Sequence, residues 1–330
     1  MTVADAAPIP TRVTRRFLAS GLADLAVIAT AIAVFYLFPY DLGFCTRIVI
    51  MMIFVMSLDL VLGYAGIATL GHAAMYGTGA YAAGLFAIHV TGDALLGLGA
   101  GALAGAAIAF VSGLLLMRSH GLTLLMLSIA VAQVLQEIAN KARGVTGGAD
   151  GLSGINMKPV LGLFEFDFVG KTGYWYACAV MFAVLMLLKV IVRSPFGLAA
   201  RGIHESHARM RSIGTPVYWR LVALYTLAGA IAGIAGALAA QVTAVVGLDS
   251  YSFANSAEAV IMLVLGGTGR LYGALLGTAI FMVVHHIAAS VDPFNWLFII
   301  GFLVLAVVFF FPGGLMTIGP VLRQKFGGRS

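Results

Sequence analysis

Charged residues are scarce in this chain of 330 residues: Asp, Glu, Lys and Arg together make up 10% of it, against about 25% in an average soluble domain. Hydrophobic residues account for 61%. A soluble fold of this length does not need so apolar a composition, which excludes the ordinary soluble classes. Backbone groups in lipid must be hydrogen-bonded within the chain, and long continuous apolar runs favour helices over a barrel.

Cysteine is also scarce. Cys45 and Cys178 lie in or beside apolar runs, and their spacing fits neither a metal site nor a redox pair. No Ser/His/Asp or Cys/His spacing suggests a nucleophile, so we predict no catalytic site, no metal site and no enzyme activity in this chain.

A nucleotide-binding loop is missing too. Gly170-Lys171-Thr172 resembles the end of one, but Glu165 stands where the motif requires a glycine. We expect no cofactor here, and any ATP must be bound by another subunit.

Apolar runs define the organisation of the chain. Ten candidate membrane segments lie near 21–38, 46–64, 68–90, 94–117, 122–139, 174–192, 219–246, 256–268, 271–290 and 294–312. The predicted fold class is therefore all-α: a polytopic transmembrane helix bundle of about ten segments. The Gly-rich segment 68–90 and the short segment 256–268 are predicted to be broken or re-entrant helices, which in transporters line a polar space.

Basic residues indicate the orientation of the bundle. With the N-terminus in the cytoplasm, alternating crossings leave five of the 19 Lys and Arg outside: Arg47, Lys141, Arg143, Lys158 and Lys171. This bias accounts for the net charge of +6, so we predict lipid and no nucleic acid as a partner. The predicted domains are a cytoplasmic tail (1–20), a transmembrane permease domain (21–316) with an outer loop (140–173) and a cytoplasmic loop (193–220), and a cytoplasmic C-terminal tail (317–330).

Ionisable residues within the apolar runs are functional candidates, since charge in lipid is costly. They are Asp59, His72, Glu137, Glu258, His285 and His286. For His72, a hydrogen bond between close-packed helices and a role in a pathway are equally supported. Composition alone leaves open an ion-coupled secondary transporter, which would need a chain of membrane carboxylates, and an ATP-driven permease, which would need a cytosolic docking helix.

Four motifs carry a family resemblance. They are Gly63-Tyr64-Ala65-Gly66-Ile67-Ala68-Thr69-Leu70-Gly71-His72-Ala73-Ala74, Thr146-Gly147-Gly148 with Gly151-Leu152, Ser194-Pro195-Phe196-Gly197, and Phe311-Pro312-Gly313-Gly314-Leu315. Over about residues 45–316 the chain resembles the LivM-type permeases of branched-chain amino-acid ABC transporters. The resemblance implies a bacterial inner-membrane protein that works with a LivH-type permease, two cytosolic ABC ATPase subunits and a periplasmic substrate-binding protein.

The resemblance also implies roles for individual residues. The residues that it assigns to coupling with the ATPase are Ser194, Pro195, Phe196, Gly197, Arg201, Glu205 and Gly214. Broken-helix ends and the ionisable residues beside them, and not the resemblance, suggest the candidates for the translocation pathway: Gly63, Tyr64, Gly66, Gly71, His72, Glu258, Gly266, Gly267 and Gly269. Asp59, Ile67-Ala68-Thr69 and the basic stretch 207–212 depart from the common family pattern. The first two departures leave branched-chain amino acids, urea, short amides and aromatic acids as possible substrates.

Overall fold

The computed structural model describes residues 12–159 and 170–291, with isolated positions at 295, 298, 301, 302, 305, 309, 314 and 315. Within these ranges the chain is helical apart from irregular connections and one isolated antiparallel bridge between Leu152 and Val246. The helices are α1 (Arg12–Leu37), α2 (Leu42–Asp59), α3 (Ala73–His89), α4 (Ala94–Leu116), α5 (Leu122–Lys141), α6 (Arg143–Thr146), α7 (Lys171–Arg193), α8 (Pro195–Glu205), α9 (His207–Ser212), α10 (Val217–Thr243), α11 (Phe253–Gly266) and α12 (Leu271–Val291). A π-helical turn, Leu60–Tyr64, continues α2, and 3-10 turns occupy Gly148–Asp150 and Leu248–Tyr251.

Six helices in the described ranges are long and apolar enough to cross a membrane. They are Leu42–Tyr64, Ala94–Leu116, Leu122–Lys141, Lys171–Arg193, Val217–Thr243 and Leu271–Val291. The chain is therefore a multi-pass membrane protein, and the predicted polytopic helix bundle is confirmed. The count of ten segments is not confirmed: the predicted segments 21–38, 68–90 and 256–268 are not among these six, and 294–312 lies almost wholly outside the described residues, as do most of the two predicted tails.

Two segments do not cross the bundle as simple helices. Helix α11 has 14 residues, which at about 1.5 Å per residue gives about 21 Å, short of the roughly 30 Å hydrocarbon layer. Helix α3 begins only at Ala73, after an irregular stretch that follows the π-helical turn. These are the segments for which the sequence predicts broken helices.

Helix α10 lies at the centre of the bundle and packs on α2, α3 and α4. Glycines make this possible: a Cβ at Gly233 would overlap the Gly101 carbonyl oxygen, and one at Gly105 would lie 2.9 Å from the Gly233 Cα. Without side chains at these positions the helix backbones approach closely, which is how helices associate in lipid. The Tyr225 side chain is almost fully buried in the same region.

The two faces of the bundle carry different connections. On one, which we call the α8 face, α7 runs directly into α8 and α9, and the His120 ring, just before α5, lies 5.8 Å from the His207 ring of α9. On the opposite face the Lys158 N–H donates to the Gly92 carbonyl at 2.8 Å. The same face holds the bridge between residues 152 and 246.

Candidate functional site

The π-helical turn ends at a sharp reversal of the chain. Gly66 has a backbone φ of 71°, a conformation that glycine adopts without strain. The Ile67 N–H donates back to the Val61 carbonyl at 3.1 Å and closes the turn. From there the chain re-enters the bundle as an irregular segment that leads to α3.

Side chains from two helices accept hydrogen bonds from the backbone of residues 65–72, which we call the re-entrant segment, and of Ala73, the first residue of α3. The Leu70 N–H donates to Ser128 Oγ of α5 at 3.1 Å, and the Ala73 N–H donates to Ser256 Oγ of α11 at 2.9 Å. A Cβ at Gly71 would overlap the Ser128 carbonyl oxygen, so the segment packs directly on α5. Irregular backbone at membrane depth is tolerated only where protein or water meets its hydrogen bonds.

His72 lies in the same segment and is fully buried. Its Nε2 is 2.8 Å from Ser57 Oγ, and the Ser57 hydroxyl donates to the Phe54 carbonyl at 2.6 Å. The hydroxyl proton is thereby engaged, so Nε2–H is the donor to Ser57. The imidazole also stacks on the Phe54 ring at 5.5 Å. His72 therefore holds the broken segment against α2, and its pathway role stays a prediction.

The end of α2 meets the α11–α12 connection at the α8 face. The buried Asp59 carboxylate accepts a hydrogen bond from the Gly269 N–H at 2.7 Å. A Cβ at Gly63 would overlap both the Asp59 carboxylate and the Gly269 backbone nitrogen. Gly267 and Gly269 have φ values of 105° and 74°. The connection therefore depends on glycine for its turn and for its close approach to α2.

The loop predicted at 193–220 contains two short helices, α8 and α9. The Ser194 hydroxyl caps α8 by accepting from the Gly197 N–H at 3.4 Å, with Pro195 in the first helical position. Ser206 interrupts the helix and caps α9. The Phe196 ring lies under the Arg220 guanidinium at 5.8 Å.

Helix α8 is seated on the rest of the bundle. A Cβ at Gly197 would lie 2.5 Å from the Ile191 carbonyl oxygen and 2.6 Å from the Val192 Cα, so the first turn of α8 contacts the α7 backbone. Ile203 is fully buried. Helix α9 buries none of its residues, and Gly214 is exposed beyond it with a φ of 81°.

The predicted coupling residues and part of the predicted pathway set meet at one place. The Arg201 guanidinium stacks on the Tyr64 ring at 4.8 Å, and a Cβ at Gly66 would lie 2.6 Å from the His204 ring. A cavity of about 410 Å³ opens between the two sets. It is lined by Gly63, Tyr64, Arg201, His204, Glu205 and Gly269.

Other predicted residues lie apart from this cavity. Gly71 and His72 are inside the bundle, and Gly266 packs against α12, where its Cβ would overlap the Gly273 carbonyl. Glu258 is half-buried on α11, away from the α8 face. In the described ranges no three His, Cys, Asp or Glu side chains are grouped to hold a metal ion.

Sequence reasoning missed an ion pair between membrane helices. The Lys189 ammonium of α7 contacts the Asp24 carboxylate of α1, which also accepts from the Tyr272 hydroxyl of α12 at 2.7 Å. The signal was available, because Asp24 and Lys189 are opposite charges in two apolar runs and intramembrane charges pair. Periodicity could not show that the two helices are neighbours.

Re-entrant segments inside a multi-pass helix bundle, with a short helix laid against their ends, are features of a membrane transport protein. The chain belongs to the family described as "Branched-chain amino acid transport system / permease component", whose model matches residues 42–308. Family membership favours the permease interpretation over an ion-coupled secondary transporter.

Named relatives agree with the family. The chain is 27% identical over 305 residues to the high-affinity branched-chain amino acid transport system permease protein LivM of Salmonella typhimurium, covering 86% of this chain and 71% of the relative. The same figures hold for LivM of Escherichia coli. A probable LivM of Methanocaldococcus jannaschii is 24% identical over 61% of each chain. No solved structure matches the chain.

Proposed function

We propose that this chain is the permease subunit of an ATP-driven importer of branched-chain amino acids in a bacterial inner membrane. Its termini lie in the cytoplasm. Its partners are a LivH-type permease, two cytosolic ATPase subunits that bind the ATP, and a periplasmic binding protein. The named LivM relatives support the substrate class and the transport system. The α8 face is then the cytoplasmic face.

The observation that carries this proposal is the seating of α8 between α7 and the π-helical turn. Gly197 fixes the start of α8 to the α7 backbone, and Arg201 stacks on Tyr64 at the end of α2. A force on α8 is therefore passed to both spanning helices at once. Rigid-body movement of packed elements is a common means of switching a site between two states.

The exposed side of the same loop suits an ATPase partner. Leu198 and Ile213 are 59% and 69% exposed, and Arg209 and Arg211 are exposed between them. Isolated apolar side chains framed by basic ones fit a groove with an apolar floor and an acidic rim. ATP-driven closure of the partner subunits would push on this surface. The resulting movement of α2 and α7 would open the pathway to one side of the membrane.

The decisive test is uptake of labelled leucine, isoleucine and valine by proteoliposomes that contain the chain with its proposed partners. We expect uptake that requires both ATP and the ATPase subunits. Uptake by this chain alone, driven by an ion gradient, would refute the proposal.

A matched pair of variants tests α8 in the same assay. Gly197→Ala places a Cβ against rigid backbone, whereas Gly202→Ala meets only the flexible end of the Met210 side chain, 2.7 Å from its sulfur. Both changes raise helix propensity equally. We expect Gly197→Ala to lower the amino acid imported per ATP hydrolysed about tenfold, which corresponds to about 1.4 kcal/mol of coupling, and Gly202→Ala to keep the wild-type ratio. Equal ratios for the two variants would show that the seating of α8 does not couple ATP to transport.

A further inference from the structure

A second cavity, of about 480 Å³, opens on the α8 face and shares no lining residue with the cavity beside Tyr64. It lies between the re-entrant segment, the turn that joins α4 to α5, the short helix α9 and the first turns of α10. We call it the α9 cavity. Its volume falls within the range of small-molecule sites, which is about 300–1,000 Å³. The α9 cavity is therefore large enough for a ligand of its own.

The lining of the α9 cavity divides into an apolar part and a basic part. The apolar side chains come from four parts of the chain and are all buried: Ile67, Met117, Leu124 and Leu221. The basic side chains are His120 in the α4–α5 turn and His207 and Arg211 on α9. Among the lining residues that the structure describes there is Ser119 but no Asp or Glu. Basic groups thus adjoin apolar surface, and the lining holds no carboxylate to neutralise them.

The basic groups lie close together. The His120 and His207 rings are 5.8 Å apart, edge to face. Burial lowers the pKa of the His207 imidazole from its ordinary value. The basic groups that face this imidazole lower its pKa further: His120 of the turn, Arg211 of α9 and His204 of α8. An anion bound among these groups would offset their repulsion, so binding of an anion and protonation of His207 favour each other.

The chemistry of the lining selects a class of ligand. A carboxylate suits the basic groups, because hydrogen bonds from cationic donors to a carboxylate are among the strong ones in proteins. A branched apolar group on the same molecule would be removed from water against the four buried apolar side chains. An ammonium group would find no carboxylate in the lining, and a charge without a partner is costly to bury. The α9 cavity therefore suits a short-chain carboxylate better than the zwitterion of an amino acid.

We propose that the α9 cavity binds a short-chain carboxylate with a branched apolar side chain, and that the bound anion inhibits import. The effect on import rests on the proposed function, whereas the binding rests on the cavity alone. Arg211 is exposed on the surface proposed to meet the ATPase. A ligand bound by His120 and Arg211 would fix α9 to the α4–α5 turn and draw Arg211 away from the ATPase. Transamination of a branched-chain amino acid yields carboxylates of this class, so a product formed from the imported substrate would limit further import.

Binding is measured by calorimetry on the full chain in nanodiscs of phosphatidylcholine, a lipid without net charge. The probe is isocaproate, which is leucine without its amino group. Isocaproamide lacks the charge, leucine adds the ammonium group, and inorganic phosphate lacks the apolar part. Arg211→Gln removes a basic group of the lining. Arg209→Gln is its matched control, because Arg209 is exposed on the same helix and does not line the cavity.

We expect isocaproate to bind at least about tenfold more tightly than the amide, leucine or phosphate. Each of these loses a charged hydrogen bond, leaves a charge unpaired or buries no apolar surface. Arg211→Gln should weaken isocaproate binding about tenfold, and Arg209→Gln by less than about twofold. Binding should be tighter at about pH 6 than at about pH 8, because the lower pH protonates histidine. The double variant His120→Gln with His207→Gln should lose this difference.

Three results of the binding assay would overturn the inference. The first is no binding of isocaproate, or equal affinity in Arg211→Gln and the wild type. The second is phosphate binding as tight as that of isocaproate, which would refute the ligand class. The third is loss of isocaproate binding in nanodiscs that contain phosphatidylglycerol, which would assign the cavity to anionic lipid.

The effect on transport is tested with the complete importer in proteoliposomes, with isocaproate added on the ATPase side. The inhibited fraction of leucine uptake is compared between the wild type and the double histidine variant, so that a change in basal uptake cancels. We expect inhibition in the wild type and little in the variant. Binding without inhibition would refute the regulatory effect. If the wild type shows no ATP-dependent uptake, the proposed function and the inhibition both fail, while the calorimetry still decides whether the cavity binds the carboxylate.

Discussion

The ion pair between α1 and α7 allows a quantitative prediction about the stability of the bundle. Lys189 and Asp24 are only 11% and 19% exposed. In Lys189→Met the aliphatic length is kept, but the Asp24 carboxylate loses its cation and retains only the Tyr272 hydroxyl. Breaking a buried pair costs about 3–5 kcal/mol, and partial exposure lowers this to about 2–4 kcal/mol.

An exposed pair in the same chain is the control. Lys141 and Glu137 are 78% and 56% exposed on α5, so Lys141→Met should cost about 0.5 kcal/mol or less. The double variant Asp24→Asn with Lys189→Met should recover part of the stability lost in Lys189→Met, because no unpaired charge remains.

The measurement is reversible unfolding of the full chain in mixed micelles, with helix content followed by circular dichroism. Free energies of unfolding are compared for the wild type, the two single variants and the double variant. The reasoning is refuted if Lys141→Met loses as much stability as Lys189→Met. It is also refuted if the double variant is less stable than Lys189→Met.

Two further predictions concern the α8 face. Gly66 and Gly121 both have positive φ, 71° and 61°, so an alanine is strained at either position, by about 1–3 kcal/mol. Only at Gly66 does the new Cβ meet the His204 ring, so Gly66→Ala should lower the leucine imported per ATP hydrolysed and Gly121→Ala should not. Equal leucine-to-ATP ratios in these two variants would contradict this. Asp59→Asn retains an acceptor for the Gly269 N–H and should change the free energy of unfolding by less than about 1 kcal/mol, whereas Asp59→Ala should lower it by about 1–3 kcal/mol. Chemical unfolding of the two variants measures the difference. An equal loss would show that this hydrogen bond does not hold α2 to the α11–α12 connection.

Local sequence signals predicted much of the architecture. Apolar length and low charge establish the multi-pass helix bundle, since lipid leaves the backbone few alternatives. The Ser194-Pro195 start of α8 is readable because capping depends on adjacent residues only. The short run at 256–268 lies in α11, whose 14 residues are fewer than a membrane span needs. In each case the physical cause acts within one helix or one turn.

The tertiary structure alone decided which of these elements meet. Tyr64 and Arg201 are both visible in the sequence, but their stacking depends on how α8 folds back under α2. Such contacts join residues more than a hundred positions apart, and no periodic pattern records the distance between two helices in space. The sequence by itself determined that this chain spans a membrane as broken and unbroken helices, and close glycine packing decided which charged and aromatic groups share a site.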